Sequence, residues 1–175
     1  MDLKNFIIDV PDFPSRGVVF RDITPILSNP EAFEFALNGI AGPFVGKDID
    51  VVVAIESRGF ILGAPLASRL GVGFVPIRKK GKLPRSVISE PLVKEYGEDV
   101  IEIHRDALKK GDRVLLVDDV LATGGTLASA VKVLQKAGAE IVGVALLVNL
   151  SYLPGKDKLV QLLPQGTLLY HLLEY

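Results

Sequence analysis

A chain of 175 residues, 49% apolar and 23% charged, has the length of one domain and enough apolar surface for a packed core, which excludes disorder as its main state. Twenty Lys and Arg against 21 Asp and Glu leave a formal charge of -1, so no broad cationic face is expected for a nucleic acid and any anion site has to be local. With no cysteine and two histidines, disulfides, thiolate nucleophiles and sulfur-based zinc sites are excluded.

Met1 to Asp9 carries charges at Asp2 and Lys4 and lacks the apolar stretch of an export signal, so the expected compartment is the cytoplasm. Val19-Phe20-Arg21 reads either as strand core with a surface charge or as a stacking platform for a flat heterocycle, and periodicity does not choose between them. Asn29 as cap, Pro30 in first position and Glu31 behind it predict a helix with Phe33, Ala36, Leu37, Ile40, Ala41 and Phe44 on its packed face. The β-branched run Val51 to Ile55 is a strand buried on both faces, followed by Glu56-Ser57-Arg58-Gly59. Arg58 there is suited to paired hydrogen bonds with pyrophosphate; a surface arginine at a helix start fits less well, because the helix dipole disfavours a cation.

Phe74 to Ile77 is a second strand candidate. The run Arg78 to Arg85 then places five positive charges in eight residues, and its glycine and proline break any helix. We read it as a mobile basic loop, either a solvated face or an anion-binding segment. The stretch 79–97 shows no clear period and reads as a long irregular excursion, a length that in compact domains marks a functional lid or disorder.

Val114 to Val117 is another doubly buried strand, and Asp118-Asp119-Val120-Leu121-Ala122-Thr123-Gly124-Gly125-Thr126 follows it. The two glycines let backbone amides close around an anion, the threonines add hydroxyl donors, and the next helix turns its positive end to the same point. The cup fits a phosphate monoester. Two carboxylates at the end of a strand accept hydrogen bonds from vicinal sugar hydroxyls, so the spacing suits ribose 5-phosphate. A nucleotide hydrolase is excluded by the absence of its GxxxxGK[ST] partner. Leu127, Ala130, Val131 and Leu134 stripe the helix, which stops near Gly138, and Ile141 to Val148 is a buried strand too short to span a membrane. His104 and His171 form no ligand pair, and a structural role is expected for both. Asn149-Leu150-Ser151 fits a glycosylation pattern that a chain without an export signal never uses.

The segment Val114 to Thr126 resembles the phosphoribosyl pyrophosphate motif of the type I phosphoribosyltransferases. Gly17 to Pro25, Glu56 to Phe60, Arg78 to Pro84 and Glu95-Tyr96-Gly97 are similar to the adenine phosphoribosyltransferases among them, so the resemblance covers nearly the whole chain. It implies an α/β fold with a mostly parallel central sheet flanked by helices and a small hood or lid, in a single domain over 1–175. It implies purine salvage: transfer of phosphoribose to adenine, giving AMP and pyrophosphate, with Mg2+ and in a homodimer. The alternatives are hypoxanthine, guanine or xanthine as the base, or a non-catalytic sensor of the sugar donor.

Carried over residue by residue, Asp118, Asp119, Ala122, Thr123, Gly124, Gly125 and Thr126 bind the donor. Ser57, Arg58, Arg78, Lys79 and Lys82 hold its pyrophosphate, and magnesium is carried mainly by pyrophosphate and ribose hydroxyls. Val19, Phe20 and Arg21 form the adenine pocket. Glu95 is the acid that protonates the departing or arriving purine, and Tyr96 covers the site against water.

Overall fold

The computed structural model describes residues 1–92 and 99–175. A 3-10 turn, Leu3–Phe6, is capped by Asp2, whose side chain accepts from Lys4 N at 3.0 Å. It leads into a hairpin of β1 (Ile8–Pro11) and β2 (Val19–Asp22), antiparallel and separate from the main sheet. The connection contains a cis Phe13–Pro14 bond and is closed by Gly17 N donating to Asp12 Oδ1 at 2.7 Å. Two helices follow, α1 (Thr24–Ser28) and α2 (Pro30–Ala41). The Asn29 side chain accepts from Ala32 N at 2.9 Å, as its position before Pro30 predicts. Phe44 is buried as expected but belongs to a separate 3-10 turn, Gly42–Phe44, because Pro43 cannot continue the α-helical ladder.

The central sheet is built by β3 (Val51–Ile55), β4 (Gly73–Lys79), β5 (Val87–Pro91), β6 (Val100–His104), β7 (Arg113–Leu121), β8 (Glu140–Asn149) and β9 (Leu168–Glu174). Its order is β5-β6-β4-β3-β7-β8-β9. The strands from β4 to β9 in that order are parallel, and β6 and β5 add an antiparallel edge. Helices α3 (Arg58–Leu70), α4 (Gly125–Lys136) and α5 (Gly155–Leu162) connect the parallel strands.

Both faces of the sheet are covered, which is why its strands read as unbroken apolar runs. Val52 and Ala54 pack toward α2 and α3 with Leu37, Ile40, Leu62 and Leu66. Val51, Val53 and Ile55 pack toward α4 and α5 with Leu127, Val131, Leu134 and Leu159. Gly63 lets α3 lie on the sheet, since a Cβ there would come within 2.6 Å of Ala54 Cβ. Gly138 turns the chain after α4 at φ +80°, the left-handed conformation expected of it.

Two expectations are corrected. The stretch 79–97 is not irregular throughout, because Val87–Pro91 is a strand paired with β6. Its alternation is hidden by Glu90, buried at an inward position where Lys136 reaches its Oε2 at 2.6 Å. Nor is the basic run a mobile loop from its start. Arg78 and Lys79 lie on β4 opposite Glu102 and Ile101, Lys80 N donates to Val100 O at 2.9 Å, and only then does the chain turn at Gly81, φ +80°. The expected Glu95 and Tyr96 lie outside the described residues.

Candidate active site

The sheet's carboxyl edge gathers the site. Strand β7 continues through Asp118 and Asp119 to Leu121, held by the ladder to Val148 and Asn149 of β8, so the acidic pair rides on a strand and not on a loop. The loop proper is short: Ala122, Thr123 and Gly124, the last at φ +80°, after which Gly125 and Thr126 open α4. Free amides of that first turn and the positive end of the helix face the loop. Gly155, at the start of α5, buttresses the loop from behind. A Cβ at 155 would fall 2.2 Å from Ala122 O and 2.9 Å from Gly124 N.

On the neighbouring strand, β3 ends at Ile55 and a cis Glu56–Ser57 bond leads to Arg58, the first residue of α3. Gly59 permits this helix to start against β7, because a Cβ there would lie 3.0 Å from Asp118 Oδ1 and 3.3 Å from Val117 O. The cation at the unfavourable end of α3 is offset by a carboxylate: Arg58 Nε lies 2.7 Å from Asp119 Oδ2. The pair is close but misaligned for a hydrogen bond, so this buried oxygen keeps acceptor capacity for a ligand hydroxyl. Asp118 Oδ1 accepts from Asp119 N at 2.9 Å. Burial pushes the Asp118 carboxyl well above the usual carboxylate range, the neighbouring Asp119 pushes it further, and Arg58 acts in the opposite direction.

A cavity of about 530 Å3 is lined by Glu56, Ser57, Arg58, Lys79, Lys82, Asp118, Asp119 and the loop from Val120 to Leu127. The structure thus brings together the acids, the glycine-threonine loop, Ser57, Arg58, Lys79 and Lys82, as the sequence predicts. Arg78 does not line it. Its Nε donates to Glu56 Oε2 at 2.8 Å, and Lys82 Nζ donates to Glu56 Oε1 at 2.9 Å. Burial pushes the Glu56 carboxyl up, but the hydrogen bonds from Lys82 and Arg78 outweigh it and hold the group below its usual value. Glu56 is therefore the anchor of the basic segment, a role that sequence reading missed.

A second cavity, about 420 Å3, adjoins the first and shares Arg58, Val120, Ala122 and Thr123 with it. One wall is the hairpin, from Gly17 to Arg21, and the other is Leu150, Tyr152 and Leu153. The Phe20 ring meets Phe13 edge to face at 5.2 Å and carries the Arg58 guanidinium 4.8 Å from its centroid. Arg58 thus joins the acidic cavity to this apolar slot. Arg21 is ion-paired with Asp9, which raises its basicity, and its Nε is buried with no hydrogen-bond partner among the described residues. Val19, Phe20 and Arg21 line the slot as expected. The 150–153 wall was missed, since its only sequence signal was the discarded Asn-Leu-Ser pattern. His104 and His171 lie away from both cavities, His171 bonded to Glu174 at 2.9 Å.

The sequence profile described as phosphoribosyl transferase domain matches residues 26–162. The adenine phosphoribosyltransferase of Thermotoga petrophila is 54% identical over 159 residues, 91% of this chain and 94% of that one. The crystal structure of adenine phosphoribosyltransferase from Rhodothermus marinus matches at 47% identity and a TM-score of 0.90, over 99% of this chain and 96% of that one. That of the Trypanosoma brucei enzyme in complex with AMP, pyrophosphate and ribose-5-phosphate matches at 28% identity and TM-score 0.87, over 98% of this chain and 77% of that one.

Proposed function

The chain belongs to the phosphoribosyl transferase family, and from that premise we propose that it is a purine-salvage enzyme joining adenine to the ribose phosphate of phosphoribosyl pyrophosphate, with AMP and pyrophosphate as products. One observation carries the reading. A buried acidic pair with an unsatisfied carboxylate oxygen sits on β7 between an anion cup and an apolar slot, and Arg58 touches both sides.

The 5′-phosphate takes the cup from Ala122 to Thr126, and Asp118 with Asp119 accepts the ribose hydroxyls. Ser57, Arg58, Lys79 and Lys82 hold the pyrophosphate, with Arg78 bracing Lys82 through their common partner Glu56. The flat base enters between Phe20 and the 150–153 wall, where backbone groups of Val19 and Arg21 read its edge. The C1′–O bond to pyrophosphate breaks and its electron pair leaves on pyrophosphate. The base nitrogen then forms the new bond to C1′ and gives up its proton. Carboxylates already fixed beside the sugar stabilise the positive charge that develops there. By resemblance, Glu95 takes the purine proton and Tyr96 excludes water.

Asp118 and Asp119 are hard oxygen donors of the kind Mg2+ takes, but no group of three acidic or histidine ligands exists among the described residues. By resemblance Mg2+ would be carried mainly by pyrophosphate and ribose hydroxyls, with Asp118 and Asp119 beside it, and when bound it would supply positive charge to the leaving pyrophosphate. No helix among the described residues is long and apolar enough to cross a membrane, which is compatible with the cytoplasmic placement in this proposal. A symmetric dimer is the commonest assembly of such enzymes, and light scattering tests it here.

Incubation with adenine, phosphoribosyl pyrophosphate and Mg2+ should yield AMP by mass, with labelled hypoxanthine, guanine and xanthine as competitors. No AMP, or preference for a 6-oxopurine, refutes the assignment. Binding of the donor without turnover would instead favour the sensor.

A further inference from the structure

The slot assigned above to the base has two walls on separate pieces of structure, joined among the described residues by side chains, Arg21 beside Tyr152 among them, and not by a backbone ladder. The hairpin forms its own two-stranded sheet, whereas the 150–153 wall follows β8 of the main sheet. Tyr175 bridges the two. Its N donates to Asn149 O at 3.0 Å, and its carbonyl oxygen accepts from Ser151 N at 2.8 Å and from Ser151 Oγ at 2.6 Å. Its backbone is thereby tied to the segment that leads into one wall. Its ring serves the other wall, with the Arg21 guanidinium carbon 4.2 Å from the ring centroid and Lys4 Nζ at 4.7 Å. Lys4 precedes β1 and Arg21 lies on β2, so the ring receives a cation from before one hairpin strand and from within the other. Arg21 is in turn oriented by its ion pair with Asp9 on β1.

We propose that Tyr175 is a positioning residue for base binding: by carrying the Arg21 side chain on its ring while its backbone is bonded to 149–151, it sets the separation of the slot's two walls. The proposal deepens the functional reading and rests on the slot being the base site. A cation over an aromatic face is a directional contact that a similarly sized aliphatic side chain does not replace, and it is strengthened by partial burial. The hydroxyl of Tyr175 is not needed for it.

The test is steady-state kinetics with adenine and sugar donor varied separately, on Tyr175→Leu, Tyr175→Phe and Arg21→Lys, with melting temperatures alongside. Tyr175→Leu should raise KM for adenine by roughly tenfold, the scale of a partly desolvated cation–π contact, and leave kcat and the donor KM near wild type. Tyr175→Phe, which keeps the ring, should restore the adenine KM. Because Arg21 itself lines the slot, Arg21→Lys is read only in a double-mutant cycle: if the ring acts through Arg21, the double variant Tyr175→Leu/Arg21→Lys should raise the adenine KM no further than the larger of the two single changes. An unchanged adenine KM in Tyr175→Leu overturns the proposal. So does a parallel loss in both KM values and kcat that follows the melting temperature and that Phe does not rescue. If Phe20→Ala raises the adenine KM while Tyr175→Leu does not, the bridge alone fails and the base site stands. If the wild-type protein shows no adenine-dependent turnover, both fail.

Discussion

Replacing Gly155 by alanine should misplace the phosphate loop without touching any ligand group. The added Cβ would stand 2.2 Å from Ala122 O, 2.9 Å from Gly124 N and 2.9 Å from Leu121 Cδ1. An ordinary carbon–oxygen contact is about 3.2–3.5 Å, so roughly 1 Å of movement is required. The leucine methyl can swing aside, but the carbonyl and the amide belong to the loop backbone. Overpacking of this kind costs about 1–3 kcal/mol, and a chain of this size loses about 2–4 °C in melting temperature per kcal/mol. The larger effect is on catalysis, where a displacement of about 1 Å in a positioned reactant costs on the order of 100-fold. We expect kcat/KM for the sugar donor to fall by about that factor and affinity for ribose 5-phosphate, measured by calorimetry, to fall with it. Equilibrium affinity for free adenine should fall less, since only Ala122 and Thr123 of the loop also line the base slot. Gly166→Ala is the control: φ is +87° there with open space around the Cβ, so it should cost about 1 kcal/mol in backbone strain and leave donor kinetics alone. Normal donor kinetics in Gly155→Ala at a melting temperature equal to wild type would refute the packing argument.

Three further outcomes follow from the charges and rings of the site. Asp118 is raised by burial and by Asp119, so the folded protein holds this proton more tightly than the unfolded one and stability falls as pH rises from the ordinary 3.8 through the higher folded value. Asp118→Asn should therefore melt higher than wild type near neutrality while turnover drops on the order of 100-fold or more; a lower melting temperature would contradict it. Glu56 is held below 4.5, so its contribution is complete above that pH and disappears as pH falls through the lower folded value. Glu56→Gln should cost about 1–2 kcal/mol near neutrality, with the gap to wild type closing in acid melts, and a pH-independent gap would rule out the ion-pair origin. Phe20→Ala removes the ring beside Arg58 and should raise the adenine KM about tenfold, read from initial rates at saturating donor; an unchanged value would place the base elsewhere.

The parallel core was legible because β3 and β7 are packed on both faces, which leaves a run such as Val51 to Ile55 with no polar interruption. The phosphate loop was legible because its demands are local: backbone room at Gly124, donors at Thr123 and Thr126, acids just before. Strand β5 was not, since Glu90 is tolerated indoors through lysines on α4, some 40 residues away in sequence. Lys82 and Arg78 were read as facing a ligand, while Glu56, the carboxylate that orients them, comes from the end of another strand. The second wall of the slot depends on β8 and β9 pairing in register, which brings Asn149 and Ser151 to Tyr175. No local pattern announces a contact of that range.

The hairpin bearing Val19, Phe20 and Arg21 is a separate sheet from the one bearing Asp118 and Asp119. Energetic effects of substitutions in groups that share no partner are additive. Ring preference can therefore drift in the 8–22 segment, or be redesigned there, while the grip on the phosphorylated sugar is inherited intact. Arg58 breaks that modularity along with the shared loop residues Ala122 and Thr123, because it leans on Phe20 and Asp119 together, and a change at this position would demand compensation on both sides at once.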